Sequence, residues 1–322
     1  MLRAPIAIVG PTAVGKSAAS LHLAALYGAE IVSVDSMQVY QGMDIGTAKP
    51  GPQERSLVPH HLIDIASPYE DFSVALYQSL GRRAIDDIIS RGRLPLLVGG
   101  SGLYLRALID EMDFPPPCHR LRDAYYSMPE EEAIESAYRE LLRLDPETAE
   151  RLGAHNLRRL VRALELREVT GVPPSLTRRR FGEIGRHYPD CLVIGLAADR
   201  ALLHERIDRR VEEMFRKGLI EEARRLREGG ELSRTASQAL GYRQVFEYLD
   251  SKRGLDETIQ LVKTATRRYA KRQMTWFRGD PRVRWITLEG EELDDPAKAC
   301  AAVVRILEET LEVKGGGNAC IS

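Results

Sequence analysis

Short apolar runs alternate with longer amphipathic stretches along much of this chain. Ile6-Ala-Ile-Val9, Glu30-Ile-Val-Ser-Val34, Leu94-Pro-Leu-Leu-Val98 and Cys191-Leu-Val-Ile-Gly-Leu196 are brief and nearly without polar alternation. That is the pattern of strands buried on both faces of a sheet. The stretches Ser17 to Tyr27, closed by Gly28, and about Phe72 to Arg91, closed by Gly92, instead carry helical spacing and a glycine stop. Strands separated by helices imply a parallel sheet with helical crossovers, an α/β core.

The pattern changes at Pro115-Pro116-Pro117. From there to Cys191 no strand-like run occurs, and three helices are predicted: Glu130 to Leu144, Pro146 to Leu152, and Leu157 to Thr170, the last stopped by Gly171. We expect a first core segment over 1–112, an all-helical insertion over 113–190, a second core segment over 191–312 and a flexible glycine-rich tail over 313–322. In the second core segment a helix begins near Asp199, and Gly241-Tyr242-Arg243-Gln244 opens another. A later basic helix carries Lys263, Arg267 and Lys271 at four-residue intervals.

Composition narrows the class. Of 322 residues, 43% are hydrophobic, enough for a sizeable core, and 29% are charged. No run is long enough to span a membrane, and Met1-Leu-Arg-Ala-Pro5 leads directly into a strand, so a cytoplasmic protein is expected. Cys118, Cys191, Cys300 and Cys320 form no C-x-x-C pair, which argues against a zinc site or a disulfide framework. A net charge of −1 hides segregation: nine arginines and three acids fall between Arg151 and Arg186, and six basic residues and no acid between Lys263 and Gly279. Local basic faces of this kind suit a polyanion. On the helix from Leu157, residues Leu157, Leu160, Val161 and Leu164 form an apolar stripe, and Arg158, Arg159 and Arg162 form a guanidinium row.

The sharpest chemical signal follows the first strand. Gly10-Pro11-Thr12-Ala13-Val14-Gly15-Lys16-Ser17 matches the phosphate-binding pattern G-x-x-x-x-G-K-[ST] in a strand–loop–helix setting. Its backbone N–H groups would cradle phosphate oxygens, Lys16 would add a cation, and the Ser17 hydroxyl would ligate a Mg²⁺ carried by the phosphates. Asp35 follows the second strand on the same side of the sheet. It reads equally as a general base, a metal-associated carboxylate or a turn-capping residue. Ser101, in Gly99-Gly100-Ser101-Gly102 after the third strand, could donate to a phosphate. His60 and His61 are neighbours in an extended segment and face opposite ways, so a shared metal is not expected. Arg206 and Arg210 share a helix face and could close over phosphates.

Together these motifs resemble the bacterial tRNA dimethylallyltransferase family. The matching pieces are Gly10 to Ser17, Ser33 to Tyr40 with Gly42 to Pro50, Val98 to Tyr104, Arg159 to Glu165, Gly241 to Gln244 and Ala270 to Arg278, spanning roughly residues 5 to 285. The resemblance implies a nucleotide-kinase-like phosphate-loop core, reused for an isoprenoid diphosphate where such loops more often hold ATP. Dimethylallyl diphosphate would donate its five-carbon group to N6 of the adenosine immediately 3′ of the tRNA anticodon, with Mg²⁺ as cofactor. It further implies Asp35 as base, with Thr12, Lys16, Ser101 and Arg210 as the remaining catalytic groups. Contacts to the tRNA anticodon stem-loop would come from Asp35, Ser36, Met37, Gln38, Ser101, Arg122, Arg158, Arg159, Leu160, Val161, Arg162, Arg268, Lys271 and Arg272. The enzyme would be a monomer. Ser101 stands where the family usually has Thr, and Arg158 where Gln is common. The alternatives are a small-molecule kinase on the same core and an adenylate prenyltransferase acting on free nucleotide.

Overall fold

The computed structural model describes residues 4–176 and 185–316, with side chains through Thr310. In chain order the first part comprises β1 (Ile6–Val9), α1 (Lys16–Tyr27), β2 (Glu30–Val34), α2 (Pro52–Leu57), β3 (His60–His61), α3 (Val74–Ser90), β4 (Pro95–Gly99) and α4 (Gly102–Ile109). Next come α5 (His119–Tyr126), α6 (Glu130–Leu144), α7 (Pro146–Leu152) and α8 (Leu157–Thr170). The chain then returns through β5 (Leu192–Ala198), α9 (Arg200–Arg216), α10 (Leu219–Glu228), α11 (Arg234–Ser237), α12 (Tyr242–Leu249), α13 (Leu255–Arg278), β6 (Val283–Leu288), α14 (Glu291–Asp294) and α15 (Pro296–Gly316).

The strands form one parallel sheet in the order β3-β2-β4-β1-β5-β6. Register follows the two-residue side-chain period. Ile8 lies beside Val98 and Ile194, and these three share one core with Ile6, Leu96 and Leu196. Ala7, Val9, Leu97 and Val193 point the other way into a second core. Burial on both faces explains why β1, β2, β4 and β5 read as unbroken apolar runs. β6 does not read that way. It is an edge strand, exposed at Arg284 and Thr287, so its Val-Arg-Trp-Ile-Thr-Leu run escaped the apolar criterion.

The chain divides into two compact units, Met1–Ile109 with Tyr188–Ser322, and Asp110–His187. Within the second, α6, α7 and α8 pack around Leu141, Ala149, Leu160 and Leu164, and α7 and α8 begin on Asp145 and Asn156, whose side chains accept from helix N–H groups. The tail expected from residue 313 is in part helical, because α15 runs through Gly316; 317–322 lie outside the described residues. So do Arg178, Arg179, Arg180 and Glu183 of the charge count over 151–186. No helix among the described residues is long and apolar enough to cross a membrane.

One buried carboxylate organises the segment after β2. Glu222 of α10, 3% exposed, accepts from the backbone N–H groups of Asp44 (3.1 Å), Ile45 (2.9 Å) and Gly46 (3.2 Å) and from the Tyr242 hydroxyl (2.6 Å). Lys49 completes the loop by donating to Tyr40 O (2.7 Å) and pairing with Asp64 (2.6 Å). Removing the carboxylate leaves three part-buried amide donors and a buried phenol without their acceptor. Glu222→Ala is expected to lose about 3 kcal/mol of stability in urea titration, and Glu222→Gln about 1 kcal/mol; equal midpoints for all three proteins would show that the loop is held some other way.

Candidate active site

The phosphate-type loop sits where β1 ends, flanked by β4 and β5. A Cβ on Gly10 would fall 2.3 Å from Leu196 O, so the loop can leave the sheet here only through glycine. Gly15, at φ 96°, starts α1, and the first turn of that helix carries no acidic residue to oppose an anion. Pro11 and Val14 are buried, whereas Ser17 is exposed on the first turn of α1. Three side chains brace the loop. Lys16 Nζ donates to Pro11 O (2.7 Å), Arg206 Nε donates to Ala13 O (2.9 Å), and Thr12 N–H donates to Gln273 Oε1 of α13 (2.9 Å). Arg206 also pairs with Asp294, so it anchors the loop and Arg210 remains the arginine facing the site charges.

Asp35 follows β2. Its Oδ1 accepts from Met37 N–H (2.8 Å) and Gln38 N–H (3.3 Å), the turn-capping role, and its charge acts on Lys16 and Arg210. The turn-capping contact is therefore present, and the same carboxylate also faces the cations of the phosphate-type loop. Ser101 Oγ accepts from Ser36 N–H (3.2 Å), joining the loop after β4 to the one carrying Asp35. Gln38 is held inside its own loop, accepting from Ser33 Oγ (2.8 Å) and donating to Thr47 O (3.3 Å).

The electrostatics of this edge are unusual. Burial, and after it the nearby Arg210 charge, lower Lys16 to about 7, with Asp35 pulling the other way. Burial also lowers Arg210, again opposed by Asp35. Tyr269 of α13 is pushed up to about 12 by burial and by Asp35, partly offset by hydrogen bonds with Ser101 and Gln273 and by Arg272. Two cations and a single carboxylate thus meet at this edge, leaving one positive charge in excess.

The glycines after β4 make room for a neighbouring helix. A Cβ on Gly100 would lie 2.0 Å from Gln273 Nε2, and one on Gly102 would lie 2.0 Å from Trp276 Nε1. They admit the close approach of α13. Sequence reasoning missed Gln273 and Tyr269, although Ala270 to Arg278 stood out as a motif; the available signal was Gln273 set between exposed cations on a helix.

The basic rows divide. On α8, Arg162 donates to Pro115 O (2.7 Å) and to buried Glu165 (3.1 Å), and Arg122 pairs with the same Glu165 (2.6 Å). Leu160 and Val161 are core residues at 0% and 1% exposure, so of the expected contact residues on this helix only Arg158 and Arg159 present side chains outward. On α13, Lys263 pairs with Glu212 (2.6 Å) and Arg267 with Asp208, both on α9. Arg268, Lys271 and Arg272 are exposed, with Arg272 5.7 Å from the Tyr269 ring. His60 bonds to Val58 O and His61 to Glu30 (2.8 Å), and no group of three metal-ligating side chains occurs among the described residues.

Comparison with known proteins decides the family. A family model described as IPP transferase matches residues 38–280, and one described as isopentenyl transferase matches residues 5–60. The chain belongs to the IPP transferase family. As a member it is 47% identical to a tRNA dimethylallyltransferase of Carboxydothermus hydrogenoformans, over 90% of this chain and 93% of that protein. It is 45% identical to the tRNA dimethylallyltransferase of Geobacillus thermodenitrificans over 94% of each. The crystal structure of the tRNA isopentenylpyrophosphate transferase of Bacillus halodurans matches with a TM-score of 0.69 and 38% identity, covering 98% of this chain and all of that one. A eukaryotic dimethylallyltransferase acting on tRNA matches with a TM-score of 0.73 and 30% identity, covering 88% of this chain and 73% of that one.

The Lys16 shift carries a stability consequence with a definite sign. The folded value lies below the unfolded one, so the unfolded chain binds more protons between about pH 7 and 10.5, and stability rises with pH through that window. Below pH 7 the desolvated charge is present in full. Lys16→Met is expected to melt a few degrees above the wild type at pH 6.5, with the gap closing near pH 10. A variant that melts below the wild type at pH 6.5 would show that the Pro11 contact outweighs the desolvation.

Proposed function

We propose that this family member transfers a dimethylallyl group from dimethylallyl diphosphate to N6 of the adenosine immediately 3′ of the anticodon in tRNA, releasing diphosphate. The observation that carries the reading is the convergence of Lys16, Arg210 and Asp35 at one desolvated edge beside the phosphate-type loop. A diphosphate supplies the anion those cations lack. The allylic C–O bond breaks as charge builds on the departing diphosphate, where Lys16, Arg210, Ser101, Thr12 and the loop amides stabilise it. The N6 lone pair forms the new C–N bond, and the N6 proton passes to Asp35. Because Met37 and Gln38 occupy Oδ1, Asp35 offers Oδ2 to that proton.

The residues present fit Mg²⁺ only as an ion brought by the substrate. With no three-carboxylate cluster among the described residues, the Ser17 hydroxyl would hold it alongside diphosphate oxygens and water. When bound, it would neutralise charge on the leaving group. The acceptor base must leave its loop stack to reach this edge. Arg158, Arg159, Arg268, Lys271 and Arg272 are the exposed cations for the RNA backbone, while Arg122 and Arg162 serve the fold around Glu165. A tRNA acceptor fits a cytoplasmic enzyme, and a monomer acting on tRNA is part of this reading.

Incubation with labelled dimethylallyl diphosphate, Mg²⁺ and unmodified tRNA should place label in tRNA, and none when the target adenosine is replaced. Label in AMP alone would instead identify a nucleotide prenyltransferase, and ATP consumption without transfer a kinase. Asp35→Asn keeps the Oδ1 cap and should slow transfer about 10²–10⁴-fold with tRNA affinity nearly unchanged. Loss of tRNA binding in that variant would make Asp35 a recognition residue. Arg158→Ala with Arg159→Ala should weaken tRNA binding and flatten the log–log salt slope by about 2; an unaltered slope would remove both from the RNA interface.

A further inference from the structure

Gln273 reaches from α13 into the joint between two loops and uses both ends of its amide. Oε1 accepts from Thr12 N–H (2.9 Å) and Nε2 donates to Gly100 O (3.1 Å), with the residue only 5% exposed. The seat is close-fitting, since a Cβ on Gly100 would lie 2.0 Å from Nε2. One turn earlier, Tyr269 lies beside both Gln273 and Ser101. Thr12 belongs to the diphosphate loop. Gly100 precedes Ser101, whose hydroxyl takes the Ser36 N–H beside Asp35. One amide therefore spans from the donor side of the site to the acceptor side. The span needs an acceptor at one end and a donor at the other, held in a plane. A carboxylate lacks the donor, a thioether lacks the donor and accepts only weakly, and asparagine is one methylene short.

We propose that Gln273 is a positioning residue for the transfer, setting the separation between the diphosphate loop and the Ser101–Asp35 side where the acceptor base enters. This rests on the transfer reaction proposed above. Gln273 acts through Thr12 and Gly100, so its effect falls on the alignment of the two reactants once both are bound. Misplacement by about 1 Å costs on the order of 10² in rate. The expected signature is a fall in kcat with both Michaelis constants preserved.

The test compares wild type, Gln273→Met and Gln273→Asn in steady-state transfer, varying dimethylallyl diphosphate and tRNA separately, with melting curves for each. Both variants should lose kcat by about 10–100-fold, with KM for each substrate within about threefold of wild type. Should Gln273→Met melt early, Gln273→Asn, which keeps the amide and loses one methylene, decides. Wild-type kcat in the variant that decides would overturn the proposal. So would a kcat loss matched by a parallel rise in donor KM, which would make Gln273 a support for donor binding alone. Absence of transfer by the wild type would overturn the reaction itself, an outcome distinct from either.

Discussion

Lys16 and Arg210 share a poorly solvated edge with only Asp35 to oppose them, and like charges confined in this way repel unless an anion joins them. The parallel sheet creates that confinement. With β1 between β4 and β5, the phosphate-type loop leaves the sheet at its centre, and its neighbours crowd the exit until Gly10 meets Leu196 O. The fold sustains this unfavourable arrangement beside loops that Glu222, Lys49 and Gln273 hold by hydrogen bonds. That arrangement suits an anion, since the same desolvation that penalises the cations strengthens every contact to a negative group.

The surrounding supports are polar, buried and doubly used. Glu222 receives three consecutive amides and the Tyr242 hydroxyl, and Lys49 ties the same loop to Asp64. Gln273 joins the loop after β1 to the loop after β4. Each holds backbone that belongs to neither a helix nor the sheet. Loops at the carboxyl ends of strands would otherwise have only water to pair with. Their rigidity comes from side chains that arrive from α10, α12 and α13, well over a hundred residues further along the chain.

The charge rows show how periodicity can mislead. Lys263, Arg267 and Lys271 lie on one stripe of α13, yet the first two face Glu212 and Asp208 on α9, and only the third is exposed. Arg162 and Arg122 are likewise drawn inward by Glu165, whose carboxylate is fully buried. A row of cations on a helix reports a shared face. Whether that face meets a polyanion or a carboxylate on the next helix depends on what packs against it.

Local sequence determined the pieces whose physics is local. Buried strands announced themselves as apolar runs, α6, α7 and α8 as periodic stretches with caps and stops, and the phosphate-type loop as glycines and a Lys-Ser pair at fixed spacing. Asp35 was legible as a residue of interest because strand ends face one way in a parallel sheet. The tertiary structure alone decided the rest. It added β6, whose edge position leaves polar residues tolerable, and it assigned Gly100 and Gly102 to the approach of α13. It also separated Arg158 and Arg159 from Arg162, and made partners of Thr12 and Gln273 across 261 positions of chain. Contacts of that separation leave no mark on local pattern, because the energy that selects them exists only once the sheet has brought the two segments together.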